Sequence, residues 1–399
     1  MLLRHDSQSL IELLDDGVPY GVYISDEELR KCADKLNSVL DRLEIDVRVV
    51  KFSGGPAFSE YTLSSQDRRS IERITEESEK IREMMDVKSF RVLNARRIGF
   101  YPREMIVEIS NEHLTEVKLK EFFEDFRFRA SSMTIPLGCS VTRHSVTNLN
   151  NNLIVGGDDP REVNNFIDSA VMSLICSLTP QDIRIVPIDI NDRCFSVYEG
   201  VPHIEKIKKT QEEASEAIDD LEREIEERYR LFYDDQTRSI LDHNRASRFS
   251  RGSMLPSILV IICNLETLAD NSEIMKKLMR IIARGKNAGV NFLISSMYPV
   301  VYSDPKYKIN ELFDDRVAFK VDTEKKSRAI LDLNEATRLL GEGDLIFSTP
   351  ARTIKVQSPT ISLSEIQKVT EYIRENKEEL YAVRQRRFAR PREESDEEV

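Results

Sequence analysis

Residues whose types and spacing first suggest chemistry run from Gly157 to Asn164, between a strand-like apolar run (152–157) and a helix-like one (161–178). A glycine-bearing turn entering a helix presents backbone N–H groups and the positive end of the helix dipole to a phosphate. The full phosphate-cradling pattern is GxxxxGK[ST]: glycine lets the backbone approach, lysine reaches the β- and γ-phosphates, and the hydroxyl holds Mg²⁺. Here the eight positions read Gly157-Asp158-Asp159-Pro160-Arg161-Glu162-Val163-Asn164. Only the first glycine is present, with Glu162, Val163 and Asn164 where the second glycine, the lysine and the hydroxyl residue belong. Two like unit charges ~4 Å apart repel by ~1 kcal/mol in water and by several times that in a partly buried cleft. Three acids at this turn therefore predict poor binding of a nucleoside triphosphate, with Arg161 the cation placed to offset them.

A second apolar run, SILVIIC (257–263), leads into Cys263-Asn264-Leu265-Glu266. A triphosphatase with a phosphate loop ends this strand in two carboxylates, one organising Mg²⁺ and one polarising the attacking water. Cys263 and Asn264 do neither job, and Glu266 reads as a solvated loop residue. The five cysteines (32, 139, 176, 194, 263) lack CxxC spacing, so reduced thiols are expected and no metal site is. His203 follows a proline with no Cys or second His nearby and reads as structural. Lys276, Arg280 and Arg284 recur every four residues and stack, with Lys277 beside them, on one helix face. Such a stripe suits a phosphate backbone or a partner protein, and equally a solvated face or subunit contact. Arg328 and Asp332, four apart, read as an intrahelical ion pair.

The elements positioning these residues fall into two groups. From Ser25, a capping residue, a helix runs to Leu43; strands 46–52 and 58–63 flank Gly54-Gly55-Pro56. A helix over 66–85 and strands 88–95 and 103–110 complete a small α+β module over 25–110. Residues 111–362 read as an α/β domain. Its strands are 152–157, 182–189, 257–263, 291–296, 316–321 and 344–348, alternating with helices at 161–178, 211–233, 272–287 and 324–333. Near-continuous apolar strands predict a parallel sheet covered by helices on both faces. A capped helix follows from Ser364, and residues 384–399 have a composition that will not pack. Residues 1–24 form an N-terminal extension. No apolar run approaches the ~20 residues that span a bilayer, and no leader pattern opens the chain, so a cytoplasmic location is expected. The 399 residues carry a net charge of −12, unevenly placed: 205–235 hold 6 basic and 12 acidic residues, 236–383 hold 22 and 19. A simple nucleic-acid coat is disfavoured; a local basic surface is not.

The order of motifs resembles the motor region of the FtsK/SpoIIIE DNA translocases, RecA-like ATPases. The run Ser196-Val197-Tyr198-Glu199-Gly200-Val201-Pro202-His203-Ile204, the segment Arg238 to Asn244, Leu255-Pro256, Ser327 to Asp332 and Leu339 to Asp344 carry the likeness. Residues 25–110 resemble the family's α subdomain. The resemblance implies a RecA-like fold and an inter-subunit role for Arg328. It also sharpens the departures: Met297-Tyr298-Pro299 stands where the family usually has Gln-Arg-Pro, so Cys263, Asn264 and Met297 leave no intact catalytic set. The expectation is a non-hydrolysing scaffold, DNA-contacting or regulatory subunit of a DNA translocation or processing assembly, with no cofactor. Double-stranded DNA, a second copy or an active FtsK/SpoIIIE-like ATPase are the implied partners. Two alternatives stay open: an active ATP- and Mg²⁺-dependent DNA translocase with an atypical nucleotide site, and a degenerate ATPase subunit of a protein-secretion assembly.

Overall fold

The computed structural model describes residues 5–378 apart from 19–22, 99–100, 126–127, 129–132, 142, 191, 193 and 251–252, so the charged tail at 384–399 lies outside it. Helix α1 (His5–Glu12) precedes α2 (Asp26–Arg42). Ser25 caps α2: its hydroxyl accepts the Glu28 N–H while the Glu28 carboxylate accepts the Ser25 N–H, two orphan donors satisfied at once. Leu29, Ala33, Leu36, Val39 and Leu40 then fall on one buried face. Strands β1 (Arg48–Gly54) and β2 (Phe58–Ser64), helices α3 (Arg68–Glu76) and α4 (Ser78–Met85), and strands β3 (Phe90–Ile98) and β4 (Tyr101–Ser110) complete the small unit. Its antiparallel sheet runs β1-β2-β4-β3. The single helix expected over 66–85 breaks at Glu77 (φ −94°, ψ 9°), a change of direction that lets Ile71 and Ile74 of α3 and Ile81 and Met85 of α4 enter one core.

The larger unit opens with β5 (Thr134–Cys139), β6 (His144–Asn148), β7 (Leu153–Gly156), α5 (Pro160–Ser177) and β8 (Ile183–Ile188). Next come α6 (Gln211–Asp234), α7 (Ile240–Ser250), β9 (Ser257–Ile262), the one-turn α8 (Glu266–Ala269), α9 (Ser272–Ala288) and β10 (Val290–Ser296). Strand β11 (Asp315–Ala318), α10 (Glu324–Leu331), β12 (Asp344–Thr349), β13 (Arg352–Gln357) and α11 (Leu363–Glu375) close it. The nine strands are ordered β6-β5-β13-β12-β11-β7-β10-β9-β8. From β11 to β8 every pairing is parallel. The remaining pairings are antiparallel, which corrects the expectation of a parallel sheet throughout: β12 folds back on β13 across a tight turn at Pro350-Ala351.

In the parallel part, successive residues feed two different cores. Leu153, Val155, Ile185, Leu259, Ile261 and Leu293 join α5 and α11 on one face. Ile154, Val186, Ile258, Val260, Ile262 and Ile294 join α6 and α9 on the other. Double coverage is why these strands read as unbroken apolar runs. Leu10, Ile11 and Leu14 of the N-terminal segment bury in the α5-side core and so pack with the larger unit.

The two units meet at a buried charged junction. Lys355 on β13 pairs with Asp344 on β12 at 2.7 Å, with 14% and 1% of the two side chains exposed. Its ammonium lies 3.7 Å from the centroid of the Phe58 ring on β2. Arg91 on β3 meets that ring at 4.8 Å and pairs with Glu108 on β4. No helix among the described residues is long and apolar enough to cross a membrane.

Candidate functional site

The turn after β7 is short, because Asp159 caps α5 by accepting the Arg161 N–H at 2.8 Å and Pro160 occupies the first helical turn. Only Gly157, Asp158 and Asp159 lie between strand and helix, and Glu162, Val163 and Asn164 are already helical. Three backbone donors at the turn, those of Asp158, Arg161 and Val163, are engaged within the chain. Asp158 N–H donates to the Lys320 carbonyl at 3.0 Å and Val163 N–H to that of Asp159 at 3.4 Å. The acids are engaged too. Asp158 accepts from Lys326 Nζ and from the Asp322 N–H, both at 2.8 Å. Glu162 Oε1 accepts the Gly343 N–H at 2.7 Å, and burial pushes its carboxyl above the usual range.

That last contact depends on a run of left-handed backbone: Gly341, Glu342 and Gly343 have φ of +85°, +59° and +89°. Glycine at both ends is what permits it. Val163 is fully buried in the α5-side core. Gly157 serves packing, since a Cβ there would stand 2.7 Å from Phe319 Cβ. Arg161 forks onto the Asp159 carboxylate at 2.7 Å, which holds that acid below its ordinary value; the arginine side chain is 89% exposed.

At the end of β9, Cys263 is buried and Asn264 is left-handed at φ +62°. Its N–H donates to Ser295 Oγ at 3.2 Å. Glu266 differs from the solvated residue expected: its carboxylate accepts from Ser296 Oγ at 2.7 Å and from the Met297 N–H at 3.3 Å, tying the ends of β9 and β10 together. Met297 packs against the α5-side core.

The loop Ser196–Ile204 explains itself as structure. Tyr198 is buried and donates to Asp168 Oδ1 at 2.8 Å; burial pushes that carboxyl up to about 7, with the tyrosine bond opposing. His203 lies 3.1 Å from the carbonyl of Leu178, at the end of α5, and burial lowers its pKa to about 4. Arg374 of α11 clasps the loop through the carbonyls of Val197 and Glu199.

The basic stripe on α9 is not an open cationic face. Lys277 pairs with Asp219 at 2.8 Å, Arg280 with Glu222 at 3.2 Å and Arg284 with Glu226 at 3.9 Å, all on α6; Lys276 is exposed. The net-acidic and net-basic stretches of the chain zip together here. Reversing Lys277, Arg280 and Arg284 together to glutamate is expected to lower the unfolding temperature by setting acid against acid. Adding Asp219→Lys, Glu222→Lys and Glu226→Lys should restore it. A melting temperature indifferent to the first triple variant would remove the ladder's structural role.

Arg328 also departs from the expected pairing. It contacts Glu324 at 3.3 Å and Asn334 at 2.6 Å, because Asp332 is left-handed (φ +60°) at the end of α10 and turns instead to Arg316.

A sheet with a parallel five-strand core, helices on both faces and a strand–turn–helix at its centre defines the chain as an α/β fold of the P-loop ATPase kind. The chain belongs to the FtsK/SpoIIIE family, whose model matches residues 123–331, while the FtsK alpha domain matches residues 10–98. The DNA translocase FtsK of Caldanaerobacter subterraneus subsp. tengcongensis is 26% identical over 381 residues, covering 92% of this chain and 52% of that protein. That of Clostridium acetobutylicum is 27% identical over 364 residues, covering 87% and 46%. The chain thus spans about half the length of these curated relatives. Among solved structures, the pCW3 conjugation coupling protein TcpA, in monomer form with ATPgS, aligns with a TM-score of 0.56 at 15% identity, covering 86% of this chain and 99% of that one. The cytoplasmic domain of the Thermomonospora curvata type VII secretion ATPase EccC gives 0.56 at 15%, covering 65% and 34%. At these identities the likeness is one of fold.

Proposed function

We propose that this chain is a non-hydrolysing FtsK/SpoIIIE-family protein that serves a DNA translocation or processing assembly as a scaffold, DNA-contacting or regulatory subunit. The observation that carries the reading is the turn after β7. Its acids are held by Lys326, Asp322 and Gly343, Val163 is buried in the core, and helix α5 starts at Pro160. Mg²⁺-ATP does not fit these residues: no lysine projects from the α5 start, no hydroxyl stands at Asn164 and no carboxylate at Cys263.

The test is equilibrium binding of a fluorescent ATP analogue with Mg²⁺, together with ATP turnover, each with and without duplex DNA. The expected result is no saturable binding up to millimolar concentration and no turnover. Turnover abolished by Glu162→Ala or Asp158→Ala would overturn the reading. The DNA arm is supported by the function printed in the relatives' names, DNA translocase. Contact through Lys277, Arg280 and Arg284 would require opening the ladder with α6, whereas Lys276 is already exposed, so a salt-dependent gel shift on duplex DNA separates a DNA-contacting subunit from a purely protein-binding one.

A further inference from the structure

We propose that Asp189, Cys194 and Cys263 hold a thiophilic divalent cation of the Zn²⁺ class directly, with no nucleotide taking part. Asp189 follows β8, Cys194 sits in the loop beyond it and Cys263 follows β9, so neighbouring parallel strands bring together donors 5 and 69 residues apart. Their ligand atoms lie within 4.8 Å of one another. In a tetrahedral shell with Zn–S about 2.3 Å and Zn–O about 2.0 Å, donors stand roughly 3.5–4 Å apart, so closing on the ion takes about 1 Å of movement.

The independent observation is the state of Asp189. It is fully buried, and its Oδ2 accepts the N–H groups of Cys194 at 2.7 Å and Phe195 at 3.0 Å. Its Oδ1 is buried with no hydrogen-bond partner. Native proteins seldom leave a carboxylate oxygen in that state, and a cation would satisfy it. The two N–H donors fix the carboxylate's orientation, the outer-shell support that metal-ligating carboxylates have. No Lys or Arg among the described residues pairs with Asp189, and Lys209 is held by Asp192 at 2.7 Å.

Two sulfurs select a soft or borderline ion over Mg²⁺, which prefers oxygen alone. Asn164 Oδ1, 3.4 Å from Cys194 Sγ, borders the fourth position. Asn164 and Cys194 are half-buried while Cys263 is buried, so the ion enters from the Asn164 side. Binding converts both thiols to thiolates and releases their protons to solvent.

The test is titration of the full, reduced, chelator-dialysed chain with Co²⁺. One equivalent should produce a thiolate-to-cobalt charge-transfer band and tetrahedral visible bands, which Zn²⁺ displaces and Mg²⁺ does not. Zn²⁺ alone should raise the unfolding temperature. Cys194→Ser should abolish the band, Asp189→Asn should weaken Zn²⁺ binding at least ~10-fold, and Cys32→Ser, in the small unit, should change neither. Circular dichroism identifies any variant that fails to fold, leaving the wild-type spectrum decisive. No thiolate band in the wild type, a band surviving Cys194→Ser, or binding that requires added ATP would overturn the proposal. ATP turnover would sink the non-hydrolysing reading and leave a metal-thiolate band standing.

Discussion

Lys355→Met is expected to destabilise the protein by about 3–5 kcal/mol, read as a lower urea midpoint at unchanged slope. Methionine fills the same volume over Phe58, so the loss isolates the charge. Burial already works against the lysine, lowering its pKa to about 8 despite Asp344, and it raises that of Asp344. Removing the ammonium leaves a carboxylate with 1% of its side chain exposed and no counter-charge at 2.7 Å. Breaking one side of a buried pair costs more than removing both, so Lys355→Met with Asp344→Asn should recover most of the loss. A single-variant cost below about 1 kcal/mol would show that the junction between the two units does not depend on this pair.

The second large effect concerns pH, where two buried groups oppose each other. Asp168 has a folded pKa of about 7 against roughly 4 unfolded. Between those values the native state holds a proton the unfolded chain lacks, so stability rises as pH falls, by up to about 1.4 kcal/mol per unit. His203 has a folded pKa of about 4 against roughly 6.5 unfolded. In that window the unfolded chain takes up a proton the native state refuses, so stability falls with pH at a similar slope. The wild type should therefore be nearly flat from pH 6.5 to 4 as far as these two groups decide. Asp168→Asn keeps an acceptor for Tyr198 but no longer titrates, and its stability should drop by about 3 kcal/mol over that range. His203→Gln should instead gain on acidification. Urea titrations at four pH values decide it; an Asp168→Asn curve parallel to wild type refutes the compensation.

Much of this architecture can be read from contiguous residues. SILVIIC forms a strand ending one residue early, at Ile262, and the helix expected at 272–287 runs from the Asn271 cap to a left-handed Gly289. Two strands of the antiparallel flank are harder to read, because RTIKVQ and HSVTN are mostly polar and carry no apolar run. The candidate site divides the same way. Val163 and Asn164 at the lysine and hydroxyl positions and Cys263 at the carboxylate position can be read directly from the sequence, but what the acids do instead depends on Lys326 and Gly343, 168 and 181 residues away. The ladder joins helices whose paired residues lie 58 apart, and local charge counting saw its halves as separate surfaces. The Arg328–Asp332 spacing misleads for a local reason: a four-residue pair requires Asp332 to be helical, and it is left-handed.

The three-residue turn between β7 and α5 also limits what a change of residue types alone could build there. Substituting Glu162→Gly, Val163→Lys and Asn164→Ser would spell the full phosphate-cradling pattern, yet Asp159 would still cap a helix that starts at Pro160. The new lysine would replace a side chain with no exposed surface. A phosphate loop of that length would need the first turn of α5 to unwind, and Gly343 would lose its Glu162 acceptor. Writing the pattern in at these positions therefore gives up the burial of Val163 and the Glu162–Gly343 bond without freeing the turn to wrap a phosphate.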